Sequence, residues 1–476
     1  MAQAPLRVPR WPAAASEGPD FAAIRAELEV PEEFPPAVLA EAGRRAAQPR
    51  LPELDATDVP LVTLDPVGSQ DLDQAVHLAR RGDGYRVSYA IADVGAVVEL
   101  GGPLDEEARR RGQTLYNPDR RTPLHPPVLS EGAASLLPGE LRAAALWTID
   151  LDADGEPVRV DLRRARVRSR AQLDYPAVQA QADAGTLPDP LALLPVLGEL
   201  LRRRAAERGA IELGTPDQEV TASPDGGWTL AFRGDLPVEG WNAEISLLTG
   251  RCAATLMLDG GVGLLRTLPP ARPDDVARLR LLAPPLGVDW PADAGPGEVI
   301  RGLDPARPGH VAFLEEAVTL LRGAAYTAFD GAPPEQPGHG GVGAPYAHVT
   351  APLRRLVDRF GTEVCLALAA GQEPPPELRA VLPELPALMA ASDRRTREAE
   401  RAVLDAMEAW MLRGNEGRTF RAVVVDAGPE SATVVLDVLA VRARCTGQGL
   451  EPGTRTEVRL TEADVAARRV RFEALP

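Results

Sequence analysis

Three carboxylates lie within nine residues in the segment Asp65-Pro66-Val67-Gly68-Ser69-Gln70-Asp71-Leu72-Asp73-Gln74. Acids this close repel one another unless a cation lies between them, and carboxylate oxygens suit Mg²⁺ or Mn²⁺. The segment therefore predicts metal-assisted hydrolysis, with a phosphate ester as the expected substrate class. A solvated acidic loop and a structural calcium loop are the alternatives, although the spacing of an EF-hand loop is absent.

The elements around these acids would position them at a strand-to-loop junction. An apolar run, Val-Pro-Leu-Val-Thr-Leu, precedes Asp65 and predicts a strand. In an extended segment alternate side chains share a face, so Asp71 and Asp73 would point one way and Leu72 and Gln74 the other. The three aspartates are therefore expected to converge on one cation. After them, the Arg-Gly-Asp-Gly sequence at 81–84 lies between two strand-like runs and predicts a hairpin.

Charge and composition restrict the mode of binding. The net charge is −17, whereas a protein that simply coats nucleic acid is usually basic. Nucleic acid would therefore bind through local arginine clusters, which favours a channel over an open face. All 52 positive residues are arginine, so phosphate and carboxylate contacts must be made by guanidinium forks, which can bind bidentately.

Cysteine usage and hydropathy predict a cytoplasmic protein that does not enter a membrane. Cys252, Cys365 and Cys445 are far apart and form no CxxC pair, so neither a disulfide framework nor a zinc site is indicated. Residues 1–11 lack the apolar core of a signal peptide. No run approaches the roughly 18 apolar residues of a transmembrane helix.

Three regions are expected along the chain. Residues 1–55 have helical periodicity, which fits a helix-turn-helix-like module and a helical arm packed on the main domain equally. Residues 56–413 begin with strands and end with long helices, which predicts an α+β domain. Residues 416–476 contain nine arginines and nine acids and two β-branched strands around a Gly-Pro turn. They predict an OB-type barrel that binds single strands, or a β module that only packs on the main domain.

Four blocks of sequence, in this order, resemble the RNB family, the ribonuclease II and ribonuclease R type of exoribonuclease. They are Asp65–Ala75 with Tyr89–Val94, then Leu104–Gly112 running into Leu115–Arg120, then Ser135–Glu140 with Asp152–Gly155, and finally Tyr346-Ala-His-Val-Thr-Ala-Pro-Leu-Arg-Arg355. The resemblance implies an α+β RNB catalytic domain followed by an S1-like OB barrel. It also implies a monomer that uses Mg²⁺, with Mn²⁺ as an alternative, to release nucleoside 5′-monophosphates from the 3′ end of single-stranded RNA.

The resemblance also implies roles for individual residues. The metal positions would be Asp65, Asp71, Asp73 and Gln74, and the catalytic residues would be Asp73, Arg354 and Glu400. The RNA contacts would be Tyr116, which stacks on a base, Tyr175 near the 3′-terminal nucleotide with Glu244 beside the 2′-hydroxyl, and Tyr346, Arg354 and Arg355. Arg354 would clamp phosphate oxygens. The alternative for Arg354 is a surface ion pair and for Glu400 a solvated helix face. His339 and His348 are expected to be structural or close to the substrate.

Two departures from the family pattern leave alternatives open. The family usually has a fourth aspartate where this chain has Gln74, and a neutral amide removes one negative charge. A catalytically impaired homologue that binds RNA or regulates is therefore the main rival. A phosphoesterase for small nucleotides is a third reading, against which the C-terminal β module argues. The helical first 55 residues also cannot hold the two cold-shock barrels that family members commonly carry, so the RNA entrance would be built differently.

Overall fold

A computed structural model describes residues 18–214, 217–222, 227–304, 307–437 and 439–476. Residues 1–17 of the predicted N-terminal module, including the stretch tested for a signal peptide, lie outside the described residues. The helices are α1 (Phe21–Glu27), α2 (Pro36–Ala47), α3 (Pro103–Arg111), α4 (Tyr175–Ala184), α5 (Leu194–Glu207), α6 (Pro237–Asp259), α7 (Pro273–Leu282), α8 (Pro296–Arg301), α9 (Pro308–Ala317), α10 (Leu356–Ala369), α11 (Pro376–Val381) and α12 (Leu385–Leu412).

Strands are concentrated at the two ends of the described chain. They are β1 (Thr63–Asp65), β2 (Gln74–Arg81), β3 (Gly84–Ala92), β4 (Leu115–Tyr116), β5 (Arg121–Thr122), β6 (Arg142–Leu151), β7 (Pro157–Val167), β8 (Gln172–Asp174), β9 (Asp217–Ala222), β10 (Trp228–Arg233), β11 (Val262–Thr267), β12 (Ala325–Asp330), β13 (Gly338–His339), β14 (Ala344–Pro345), β15 (Thr419–Ala427), β16 (Ala432–Leu436), β17 (Arg442–Thr446), β18 (Arg455–Asp464) and β19 (Arg469–Ala474). The α+β class predicted from the order of elements is confirmed.

A four-stranded antiparallel sheet, β2-β3-β6-β7, forms the centre of the main domain. The predicted hairpin joins β2 to β3, with Arg81 paired to Gly84 and Gly82 at φ +56°, where glycine is favoured. Both faces of the sheet are covered. Val87 and Tyr89 pack into one buried cluster with α6 and α10, while Ala90 packs into a second cluster on the other face.

The two N-terminal helices pack on different parts of the main body. Phe21 and Ile24 of α1 join Met407 of α12 in one apolar cluster, and α2 contacts α3. This packing is that of a helical arm. In the part of the chain that the structure describes, no helix combines the length and apolar character needed to cross a membrane.

The C-terminal strands close into a five-stranded barrel in the order β15-β16-β17-β19-β18, which confirms the predicted barrel. Glu408, near the end of α12, connects this barrel to the helix. Its buried carboxylate accepts hydrogen bonds from the backbone N–H of Arg442 (2.7 Å) and from Nε2 of Gln218 (2.8 Å). Burial raises the pKa of Glu408 to about 7.

Glu408→Gln is expected to stabilise the protein above neutral pH. The folded-state pKa of Glu408 lies above its unfolded value, so ionisation penalises folding as the pH rises from the unfolded pKa through about 7. The amide keeps an oxygen acceptor and carries no charge. The gain in unfolding free energy at pH 8 should be up to roughly 3 kcal/mol and should disappear near pH 4, measured by urea unfolding.

The exposed Glu416, just beyond the same helix, supplies the matched control. Glu416→Gln should change stability little at either pH. A Glu408→Gln protein that is no more stable than the parent at pH 8 would contradict the raised pKa.

Candidate active site

The acidic segment connects β1 to β2 at one edge of the buried sheet. Asp65 is the last residue of β1, and Asp73 directly precedes β2. Leu72 is fully buried in the apolar core, and its N–H donates to Ser135 Oγ at 3.0 Å. Asp71 and Asp73 lie instead within electrostatic reach of Tyr116. The segment therefore separates Leu72 from its acids, but residues 71–73 are not a strand and Leu72 and Gln74 do not share a face as expected, since Gln74 contacts Tyr89 of the other cluster.

Asp73 is tied to the loop that carries Arg354. Its side chain is only 1% exposed, and Oδ1 accepts a hydrogen bond from the backbone N–H of Leu353 at 2.7 Å. Nη1 of Arg354 lies 3.2 Å from Oδ2 of Asp73. Arg354 is in the turn just before α10 rather than inside the helix, and its guanidinium remains partly exposed. It can therefore contact both the acid and an incoming anion.

Two buried carboxylates in the site each have an oxygen without a hydrogen bond. Oδ2 of Asp65 and Oδ2 of Asp73 are buried and accept no hydrogen bond. Desolvation raises the pKa of Asp65 to about 6 and that of Asp73 to about 7; Arg354 opposes this and Asp71 adds to it. Buried acceptors without partners are costly, so these two oxygens are where a cation would be most stabilising.

Asp71 has a different environment. Its Oδ1 accepts a hydrogen bond from Nη1 of Arg121 at 2.6 Å, and its Oδ2 accepts one from the Tyr116 hydroxyl at 3.0 Å. Arg121 also donates to Glu131 at 2.8 Å. The expectation that all three acids converge on one cation stays a prediction, and in this structure Asp71 has a guanidinium partner that sequence reasoning missed.

The remaining donor set still fits a magnesium ion. Among the described residues, no group of three or more His, Cys, Asp or Glu side chains is arranged to hold a metal. Mg²⁺, however, is usually held by one or two carboxylates together with water and substrate phosphate. Asp65 and Asp73 each have a buried oxygen that accepts no hydrogen bond, and they match that mode.

Two tyrosines border the acids as predicted. Tyr116 is half exposed, which suits an aromatic side chain that stacks on a base. Tyr175 starts α4, next to Asp174, which pairs in parallel register with Asp65. The hydroxyl of Tyr175 accepts a hydrogen bond from Nδ2 of Asn242 at 3.2 Å.

Glu244 was expected beside the 2′-hydroxyl of the substrate together with Tyr175, and that role stays a prediction. Glu244 lines a cavity of about 160 Å³ with Arg208 and Arg251, and burial raises its pKa to about 7. Residues two apart on a helix point in different directions, so Asn242 and Glu244 cannot both face Tyr175. Helical spacing from Asn242 to Ser246 could have identified the face of α6 that contacts Tyr175.

The side chains of Arg355 and Tyr346 make their contacts within the protein. The Arg355 guanidinium makes two 2.8 Å hydrogen bonds to Asp358, which raise the pKa of Arg355 further. Tyr346 is buried and makes edge contacts with the rings of His339 and His348. Both were predicted RNA contacts, but their side chains are used to hold the Arg354 loop and its supporting core.

The contacts of His339 and His348 fit the alternative in which the two histidines are structural. His348 is buried, its Nδ1 lies 2.7 Å from the Tyr326 hydroxyl, and burial lowers its pKa well below the usual value. Burial also lowers the pKa of His339, to about 4. Both rings are therefore expected to be uncharged at neutral pH.

Glu400 lies away from the aspartates. It lines a polar cleft between α12, α9 and the barrel, together with Arg397 and Arg442. None of the three aspartates lines that cleft. Its predicted catalytic role thus finds no support in this geometry, because α12 presents position 400 to the barrel and not to the acidic segment.

The β4–β5 hairpin that contacts Asp71 is also tied to the N-terminal arm. Arg25, just 3% exposed, donates to Asp119 at 2.7 Å and to Glu32 at 2.8 Å. Arg120 donates to the other oxygen of Glu32 at 2.7 Å. These ion pairs fix the turn of the hairpin against the segment between α1 and α2.

Comparison with protein families decides the classification. A family model described as the RNB domain matches residues 54–361, which is more than half of the chain. This chain belongs to the RNB family. A model described as the RNase II-type exonuclease C-terminal S1 domain matches residues 418–475, the region of the closed barrel. The predicted family and the S1-type barrel are both confirmed.

Proteins similar to this RNB protein include ribonucleases and a pseudonuclease that shares the fold. Ribonuclease R of Aquifex aeolicus is 28% identical over 384 residues, covering 76% of this chain and 53% of the relative. The chain thus spans about half the length of that relative. The apo structure of Mycoplasma genitalium RNase R has the same fold, with a TM-score of 0.85 at 19% identity over 96% of this chain and 77% of that one. Yeast Ssd1, described as a pseudonuclease, matches at a TM-score of 0.71 and 16% identity, over 93% and 58% of the two chains.

Gln74 is the position where this RNB protein departs from the family pattern, and both ends of its side-chain amide are hydrogen-bonded. Oε1 accepts a hydrogen bond from the Tyr89 hydroxyl at 2.7 Å, and Nε2 donates to the carbonyl oxygen of Thr350 at 2.6 Å. The Tyr89 hydroxyl also lies 2.7 Å from Ser246 Oγ. The prediction of Gln74 as a metal position is not supported, because its side chain links β2 to the residues preceding Arg354.

Gln74→Glu is expected to destabilise the protein by about 1–3 kcal/mol at pH 8. The substitution preserves shape, but a carboxylate oxygen would then face the Thr350 carbonyl without a hydrogen between them. Urea unfolding monitors the loss.

Gln113→Glu is the matched control, because Nε2 of Gln113 donates to the hydroxyl of Thr396, which can reverse its own hydrogen. Equal losses in the two variants would show that the Thr350 contact has no special weight.

Proposed function

We propose that the protein is a 3′→5′ exoribonuclease that hydrolyses single-stranded RNA to nucleoside 5′-monophosphates. The observation that carries this proposal is the pair of buried carboxylate oxygens on Asp65 and Asp73 that accept no hydrogen bond, beside the partly exposed Arg354. This arrangement joins a site for a hard divalent cation to a guanidinium suited to phosphate.

Each residue has a part in the proposed reaction. Asp65 and Asp73 would hold Mg²⁺, with Mn²⁺ as a substitute. When bound, the ion neutralises phosphate charge and lowers the pKa of the attacking water. Arg354 binds the scissile phosphate and stabilises charge that develops on its oxygens. Tyr116 offers an exposed ring for base stacking, which tolerates any sequence.

The partner proposed here is single-stranded RNA. In support, Mycoplasma genitalium RNase R has been solved in complex with ribose-methylated single-stranded RNA. The S1-type barrel adds a second surface of a kind that often binds single strands. A monomeric state and a cytoplasmic location stay predictions from the sequence.

A catalytically impaired RNA-binding protein is the second candidate. Two observations favour it: the neutral Gln74 replaces a usual aspartate, and yeast Ssd1 shares the fold as a pseudonuclease.

RNA labelled at its 5′ end distinguishes these candidates. With Mg²⁺ or Mn²⁺ the protein should shorten the RNA progressively and release mononucleotides, and EDTA should stop the reaction because the metal is removed. Gel electrophoresis follows the shortening. Retention of full-length RNA with both metals, together with a gel shift, would favour the impaired homologue.

Asp73→Asn should reduce hydrolysis roughly 100-fold or more, by analogy with the loss of one electrostatic stabiliser, while RNA binding persists. Asparagine keeps the Oδ1 acceptor for Leu353 but removes the charge that faces Arg354 and the proposed ion. Rates and dissociation constants are measured on the same labelled RNA.

Asp83→Asn removes an exposed acid from the β2–β3 turn and serves as the control, with an unchanged rate expected. An Asp73→Asn enzyme that keeps the parent rate would rule out the proposed role of Asp73.

A further inference from the structure

We propose that Arg121 is a positioning residue that occupies Asp71 as a built-in cation, so that the site binds a single divalent ion through Asp65 and Asp73. This inference rests on the proposed function, because it concerns the metal that the function requires. It assigns a role to a residue that neither the motifs nor the family match single out.

The three aspartates differ in the partners available to them. Asp65 and Asp73 each have a buried oxygen that accepts no hydrogen bond. Both oxygens of Asp71 accept hydrogen bonds, one of them from a guanidinium at 2.6 Å. Arg354 pairs with Asp73 at 3.2 Å without a hydrogen bond and stays partly exposed, whereas Arg121 is hydrogen-bonded to Asp71, so Asp71 has the more firmly held cation of the two.

The geometry of the β4–β5 hairpin makes this occupation specific. Tyr116 and Arg121 are paired directly across the two strands, so their side chains leave the ribbon on the same side. Each binds a different oxygen of Asp71. The hydrogen bond from the Asn117 N–H to the Arg120 carbonyl closes the turn between them at 3.1 Å.

Glu131 holds the guanidinium in this orientation. Arg121 donates Nη1 to Asp71 and Nη2 to Glu131, so the fork spans two carboxylates. Charge-assisted hydrogen bonds are the stronger kind, and a fork held at both ends loses little further conformational freedom. For Asp71 to bind a metal, the ion would have to share an oxygen with Arg121 or Tyr116 or displace one of them.

Gln74 and Arg121 both make the site less negative. Gln74 supplies no negative charge to the site, and its amide is committed to Tyr89 and Thr350. Arg121 offsets the charge of Asp71. Both features reduce the attraction for a second divalent ion, since each ion is stabilised chiefly by nearby carboxylates.

Equilibrium binding of Mn²⁺ to the full chain without RNA tests the proposal, with free Mn²⁺ counted by its electron paramagnetic resonance signal. The Asp65→Asn/Asp73→Asn protein gives the background from other surface acids. Above that background the parent protein should bind one ion. Arg121→Gln should bind a second ion, whereas Arg121→Lys, which keeps the charge, should match the parent.

Two further variants identify the ligand. Asp71→Asn should still bind one ion, and combining it with Arg121→Gln should abolish the second. Arg120→Gln removes a neighbouring charge that pairs with Glu32 and should bind like the parent. Circular dichroism confirms that each variant is folded.

Failure of this inference can be distinguished from failure of the proposed function. One ion on both the parent and Arg121→Gln, or loss of the ion from Asp71→Asn, would overturn the role of Arg121 and leave the metal site standing. No ion above background on the parent protein would overturn the proposed metal-dependent function, and the inference with it.

Discussion

One hydrogen bond joins the two halves of the site. The Leu353 N–H donates to Oδ1 of Asp73 across 280 residues of chain, and both groups are buried. It places Arg354, the next residue, with its guanidinium 3.2 Å from the other oxygen of the same carboxylate. Burying a carboxylate costs several kcal/mol unless other groups compensate, and here one backbone donor and one cation supply only part of that compensation. The remaining deficit makes the pocket receptive to a further cation.

Two side chains help to hold this hydrogen bond in place, and each is close in sequence to one of its two partners. Asp358, in the first turn of α10, accepts a hydrogen bond from the Ala351 N–H and holds Arg355. Gln74 contacts the carbonyl of Thr350 from the opposite side. The loop before α10 is thus held from two sides, by Asp358 in the first turn of α10 and by Gln74 at the start of β2. A rigid loop matters because a phosphate-binding guanidinium is effective only when held in place.

Sequence reasoning succeeded where the determining physics is local. The apolar run before Asp65 predicted the strand that ends there, and the glycines at 82 and 84 specified the hairpin. The β-branched runs near the C-terminus predicted strands that close into the barrel. Each of these depends on backbone conformation and on neighbours a few residues away, which a single sequence records.

The mismatches concern the partners of individual side chains, which the pattern of a single sequence does not specify. The family pattern places an RNA contact at Arg355, but the sequence does not record that Asp358 already satisfies its fork. Tyr346 was predicted as an RNA contact, and it is buried against the rings of His339 and His348. The direction of Glu244 followed from helical phase and could have been checked, whereas the bond from Arg121 to Asp71 crosses 50 residues with no shared motif. A chain whose cations are all arginine makes such bridges common, since a guanidinium can bind two acids at once.

The ion pairs between the N-terminal arm and the β4–β5 hairpin have a consequence for dynamics. Arg25 reaches Asp119 over 94 residues, and Glu32 is shared between Arg25 and Arg120. Separating the arm from the hairpin would leave the buried guanidinium of Arg25 without Asp119 and the guanidinium of Arg120 without Glu32, which is unfavourable. The two segments therefore form one cooperative unit of local unfolding, and the hairpin that contacts Asp71 opens to solvent only as often as the arm detaches.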